Sequence, residues 1–178
     1  MQSDTCSEVL DAVRHFLDYL FDDFGFVVSA VIPGSGGGRC LIVLSSERCR
    51  FRVIFNRGDL EVAVGTLSAP VSWEDKIAGV TQWYYLRGAL DYVKNAEHPN
   101  LNDLRRPVPF LTLEQKLAEV AADLKSDCWK VIKLFQKDNF DTRQCELDRY
   151  LQEGAEQLQR QLAEWQREQR RRYGGPSA

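Results

Sequence analysis

The chain of 178 residues carries 23 basic and 26 acidic side chains, a net charge of −3, with 44% hydrophobic and 28% charged residues. That balance suits one globular domain, or a domain with an extension, and excludes a strongly basic nucleic-acid binder. No apolar run approaches the roughly 18 residues that span a membrane. The start, Met1-Gln2-Ser3-Asp4-Thr5, has neither the basic nor the apolar region of a signal peptide.

In chain order, the spacing of Val9, Leu10, Val13, Phe16, Leu17, Leu20 and Phe21 predicts an amphipathic helix over about Asp4 to Asp22. Asp4 and Thr5 suit its start, and Gly25 its end. Its outer face carries Glu8, Asp11, Asp18 and Asp22. Four strands follow, at Phe26–Ile32, Arg39–Leu44, Arg48–Phe55 and Leu60–Val64. Pro33 to Gly38, Ser45-Ser46-Glu47 and Asn56-Arg57-Gly58-Asp59 supply the turns. Links this short predict an antiparallel meander, because parallel pairing needs a long crossover.

The third strand alternates. Cys49, Phe51, Val53 and Phe55 take one face, and Arg48, Arg50 and Arg52 the other. In the fourth, Leu60, Val62 and Val64 oppose Glu61 and Ala63. One face is therefore apolar and must be covered; the other reads as a polar, arginine-rich face. Trp73, Ile77, Val80 and Tyr84, with Trp83, Leu86, Leu90 and Val93, predict a covering helix over Ser72–Asn95 with two apolar stripes; Tyr85 and Tyr92 fall off both. A proline-rich loop, His98 to Pro109, leads to the capping box Thr112-x-x-Gln115. The helix behind it carries Leu113 to Phe135. After Lys137-Asp138-Asn139, a last helix runs from Asp141 to about Arg172, with Leu147, Leu151, Ala155, Leu158, Leu162 and Trp165 at spacings of four and three. These two helices read as an antiparallel hairpin with Leu151, Leu158, Leu162 and Trp165 at its seam. Residues 174–178 read as a disordered tail.

The fold class is therefore α+β: an N-terminal helix, a four-stranded antiparallel meander, a covering helix and a C-terminal antiparallel helical hairpin. The domain occupies residues 1–110, and the hairpin, 111–173, packs on or beside it.

Chemistry finds little to work with. Five widely spread cysteines read as reduced thiols of a cytoplasmic protein. With two histidines, His15 and His98, and no C-x-x-C pair, a structural zinc site lacks its ligands. The run Gly34–Gly38 is followed by Arg39 and Cys40 rather than the lysine and helix of a phosphate loop, so it reads as a turn. Arg57-Gly58-Asp59 is explained by turn chemistry. Asp59 and Glu61 resemble half of a metal-nuclease triad, but Ala63 stands where the lysine belongs. A Cys–His nucleophile would need His15 beside a thiol. Neither catalytic residues nor a metal nor a cofactor is expected. Arg48, Arg50, Arg52 and Arg57, with Arg39, read either as a solvated face partly paired with Glu61 or as a face for recognising an acidic partner, since arginine grips planar carboxylates and phosphates. RNA binding would want aromatics between those arginines, and Phe51 and Phe55 lie on the other face. The basic end, Arg167 with Arg170-Arg171-Arg172, suits the negative end of a helix dipole.

The stretches Asp23-Phe24-Gly25-Phe26-Val27-Val28, Cys40-Leu41-Ile42-Val43-Leu44-Ser45-Ser46 and Arg50-Phe51-Arg52-Val53-Ile54-Phe55-Asn56-Arg57-Gly58-Asp59-Leu60, with Trp83-Tyr84-Tyr85-Leu86, resemble bacterial immunity-type proteins of polymorphic or contact-dependent toxin systems. The resemblance covers about residues 5–95. Asn56 replaces the family's aspartate before the arginine–glycine turn, and the helices from Thr112 onward lie outside the pattern. It implies a non-enzymatic inhibitor that occludes a toxin domain and carries over no binding residue; the residues themselves offer the acidic face (Glu8, Asp11, Asp18, Asp22) or the arginine face as the contact. The alternative is an adaptor of a defence or phage-related complex that self-associates, for instance as a homodimer, or docks through its C-terminal helices. Neither reading involves a membrane or nucleic acid.

Overall fold

The computed structural model describes residues 5–35, 37–98 and 110–173. The expected cap at Asp4, the loop from Pro99 to Pro109 and the tail 174–178 lie outside these residues. The elements are α1 (Thr5–Phe16), α2 (Asp18–Asp22), β1 (Val27–Pro33), β2 (Arg39–Ser45), β3 (Arg50–Asn56), β4 (Asp59–Gly65), β5 (Lys76–Ile77), β6 (Val80–Thr81), β7 (Tyr84–Tyr85), α3 (Leu86–Val93), α4 (Leu113–Lys125), α5 (Cys128–Phe135) and α6 (Lys137–Tyr173).

The expected α+β architecture is present. Strands β1 to β4 form the antiparallel meander, and β7 adds a fifth, two-residue strand beside β4. The turns behave as their residues demand. Arg57 (φ 50°) and Gly58 (φ 96°) make the two-residue turn between β3 and β4, the left-handed pair whose twist matches a hairpin. Gly25 (φ 67°) lets the chain leave α2. Thr112 and Gln115 close the capping box reciprocally, with Gln115 N–H donating to Thr112 Oγ1 at 3.3 Å and Thr112 N–H to Gln115 Oε1 at 2.9 Å.

The alternation of β3 and β4 sets the main core. Cys49, Phe51, Val53, Val62 and Val64 face α1, joined by Val9, Val13, Leu17 and Leu20. The C-terminal helices belong to the same core, through Leu117, Leu124, Ile132, Phe135, Phe140 and Leu147. Fully burying each large side chain contributes about 1.5–3 kcal/mol.

Four expectations need correction. The first helix is two, because Leu17 (φ −113°, ψ 29°) leaves helical geometry before α2. The helix before the last breaks at Ser126-Asp127 into α4 and α5, and the last helix begins at Lys137, before the anticipated Asp141. The helix over Ser72–Asn95 exists as α3 alone. Ahead of it, Ala78 (φ 50°) and Gly79 (φ 82°) turn β5 back on β6, pairing Ile77 with Val80. Finally, the cysteines are not all free thiols: Cys6 on α1 and Cys40 on β2 form a disulfide with Cα atoms 5.2 Å apart. The two are 34 positions apart in sequence, and their meeting depends on α1 lying across the sheet.

Candidate protein-binding surface

The second sheet face is not an open arginine surface. Leu41, Val43, Ala63, Ala69 and Trp83 form a second buried cluster there, with Ala30, Ile32, Ile54 and Trp73 packed against it. The chain from Thr66 to Trp83 lies over this face, and the arginines hold it down. Arg52 is 2% exposed. Its Nη1 donates to Glu74 O at 3.1 Å, its Nη2 meets the Asp75 carboxylate, and Glu61 Oε1 stands 3.6 Å away. The guanidinium lies over Trp83, 4.8 Å from the ring centre. Arg50 donates to Ala69 O. Arg39 stacks on Trp73 at 4.7 Å. A cation on an indole face is attracted by the ring quadrupole, which anchors both tryptophans.

Arg52 is thus buried and Arg50 half-buried, and both hold the strap to the sheet. Arg48 is exposed but stacks on Trp129 at 4.7 Å. Arg57 is exposed at its turn.

What the arginines hold is a strap with an apolar outer side. Leu67 (43%), Val71 (37%), Ile77 (45%) and Val80 (51%) are exposed, and Tyr85, just past Trp83, is 65% exposed. The β5–β6 hairpin carries Ile77 and Val80 as a pair, and Leu67 and Val80 line one depression with Gln82 and Phe140. The sequence signal for this strap was Ala78-Gly79 between the β-branched Ile77 and Val80-Thr81, a hairpin pattern that the helical spacing of Trp73, Ile77, Val80 and Tyr84 concealed. Gly65 fixes where the strap leaves β4: a Cβ there would stand 2.6 Å from Gln82 O and 2.7 Å from Ala69 Cβ.

Beside the strap, a groove of about 580 Å³ follows the edge of β4. Leu60, Val62, Leu86, Leu90 and Val120 give apolar walls, and Asp59, Glu61, Asp123 and Arg87 stand among them. Burial raises the Glu61 carboxyl above its usual value; Arg52 opposes this and Asp75 reinforces it. The Glu61 charge in turn raises the Tyr85 phenol.

The acidic residues Glu8, Asp11, Asp18 and Asp22 are all exposed, on α1 and α2. Asp18 Oδ1 accepts the Tyr19 N–H at 2.7 Å. Of the hairpin residues, Leu151 packs against Gly88 of α3. Leu158 and Trp165 are half-buried, and Leu162 is 40% exposed.

The chemical candidates stay apart. His15 is exposed and packs edge-on against Phe16. Burial pushes the Cys49 and Cys128 thiols up to about 12, which leaves almost no thiolate at neutral pH. Among the described residues, no group of three His, Cys, Asp or Glu is placed to hold a metal ion, and no helix is long and apolar enough to cross a membrane. No family model, no curated protein and no solved structure matches the chain.

Proposed function

We propose that the chain is a non-enzymatic protein-binding module, an immunity-type inhibitor that occludes a toxin domain. The observation that carries this reading is the strap: four exposed aliphatic side chains, with Tyr85 just beyond them, on a segment that the buried Arg52 clamps to the sheet. Exposed apolar surface held in a fixed shape is what a protein interface needs, and one that is already ordered loses little entropy on binding. The carboxylates of α1 and α2 add long-range attraction for a basic partner, such as a nuclease domain, and speed its approach.

The test is protection in cells. Co-expressed with the product of the adjoining open reading frame, where that product stops growth, the wild-type chain should restore it. Ile77→Asp with Val80→Asp should abolish protection while leaving the fold intact. Growth unaffected by the double variant removes the strap from the interface.

A cytoplasmic location belongs to the same proposal, and the Cys6–Cys40 bond is its sharpest check. Disulfides persist in oxidising compartments and are rare in the cytosol. Alkylation at lysis should find Cys6 and Cys40 free if the chain is cytoplasmic; a bond intact at that moment places it in an oxidising compartment.

The adaptor reading rests on α6, whose 37 residues extend for about 55 Å and whose last buried core side chain is Leu147. Light scattering on the eluted peak separates the two readings: a dimer lost on deleting residues 155–178 supports the adaptor.

A further inference from the structure

The two edges of the sheet differ. On β1 the register slips between Val28 and Ala30, and the strand ends at Pro33, two devices that discourage another strand from pairing there. On β4 the outer ladder with β7 covers Ala63 and Val64, after which the chain turns into α3. That register sets Leu86, the first residue of α3, opposite Val62, so the stretch Asp59–Glu61 lies beyond it.

The register shows what this stretch offers. The two-residue turn makes Asn56 and Asp59 a hydrogen-bonded pair, so Ile54 and Glu61 form the next one. Leu60 and Val62 fall between them and turn their N–H and C=O groups away from β3. Those groups point to the groove of about 580 Å³. Its lining comes from both sides of the sheet, Leu60 and Val62 from the helix side and Ile54, Asn56 and Glu61 from the strap side. A cavity touches both sides only by passing round the edge. It is bounded by Tyr85 where β7 ends, by Leu86, Arg87 and Leu90 of α3, and by Val120 and Asp123 of α4. Lys116, which donates to Gly58 O, closes the turn end.

Charge selects the occupant. Arg87 is engaged with Asp91 at 3.2 Å and Asp123 at 3.1 Å, and Arg52 is shared between Glu61 and Asp75. Three carboxylates, Asp59, Glu61 and Asp123, and one arginine, Arg87, thus line the cleft, an acidic excess among apolar walls. We infer that the β4 edge is a docking site for an extended, basic segment of a partner protein, which adds as a short strand alongside Asp59 to Glu61, on the line of β7 past Leu86. Main-chain hydrogen bonds hold it, alternate apolar side chains enter the wall formed by Leu60, Val62 and Leu90, and alternate lysines or arginines meet Asp59, Glu61 and Asp123. The site uses residues other than the strap's exposed aliphatics, so it stands or falls apart from the immunity-type reading.

The full chain is titrated with a ten-residue peptide of alternating lysine and valine, and amide hydrogen exchange is followed residue by residue. The expected result is binding, with slowed exchange at the Leu60 amide. Methylating the backbone nitrogens of the central six peptide residues should abolish it, and exchanging lysine for glutamate should do the same. Asp59→Lys, at an exposed position, should weaken the lysine peptide by about fivefold. No binding, binding that survives backbone methylation, or protection appearing along β1 instead overturns the proposal. So does slowed exchange at Leu60 that rises with protein concentration in the absence of peptide, which makes a second copy the occupant.

Discussion

Arg52 is the bulkiest of the fully buried side chains, and its position is decided by one bond count. In water a guanidinium is fully solvated; here Nη1 and Nη2 are met by Glu74 O, Asp75 and Glu61, Trp83 covers the face, and the buried Nε has no partner. Asp75 is 63% exposed, so much of the pairing is screened, and the anchoring of the strap is the larger effect. Arg52→Leu should lower the unfolding free energy by about 2–3 kcal/mol, at or below the low end for breaking a buried pair because Asp75 is exposed, and open a protease-sensitive site within 66–83; denaturant midpoints and limited proteolysis measure both. Gly65→Ala forces a Cβ against Gln82 O and Ala69 and should cost about 1–3 kcal/mol as overpacking, read from the same midpoints. Glu61 supplies a pH signature. Its carboxyl is raised in the folded state, mainly by burial, so the folded chain binds the proton more tightly than the unfolded one. Stability should then fall as pH rises from the ordinary glutamate range through the raised value. Glu61→Gln should flatten that fall; an unchanged profile would show that another group causes it. At this scale the inward alternation of Phe51, Val53, Val62 and Val64 was legible in the sequence, because a period of two admits one assignment. The fate of Arg52 was not, since alternation says which face a side chain takes and nothing of what covers it.

Among the elements, β2 held a hint about that cover. Cys40-Leu41-Ile42-Val43-Leu44 is apolar at every position, and all five side chains are buried, the pattern of a strand covered on both faces. The strap that covers it was hidden by its own spacing: Trp73, Ile77, Val80 and Tyr84 recur as on a helix, while Ala78 and Gly79 take left-handed backbone angles that end any helix. The capping box at Thr112 and the Arg57-Gly58 turn were legible because each depends on residues within one turn of chain. The disulfide was not, because it depends on the docking of α1. That bond closes a loop across 34 positions, worth about 3–4 kcal/mol by the chain-entropy relation. Cys6→Ser with Cys40→Ser should lower stability by that order, and reducing agent should act on the wild type and spare the double variant; calorimetric unfolding with and without reductant checks both.

As a whole, the molecule is one core shared by sheet and helices, a strap clamped over the opposite sheet face, and a long terminal helix. The exposed aliphatic side chains of the strap and the carboxylates of α1 and α2 divide the work of association as strength and speed. Apolar contacts at the centre of an interface govern how long a complex lasts, and charges around it govern how fast it forms. Substituting Glu8, Asp11, Asp18 and Asp22 by their amides should therefore slow association and flatten its salt dependence, with dissociation nearly unchanged, as stopped-flow mixing would show. The most direct measurement is a calorimetric titration of the product of the adjoining open reading frame with the wild-type chain and with the Ile77→Asp, Val80→Asp variant, each shown folded by its unfolding transition. Tight binding by the wild type that falls at least about a hundredfold in the variant, the scale of losing a hot-spot pair, is the predicted result. Equal affinity for both chains, or no binding by the wild type, would contradict the account.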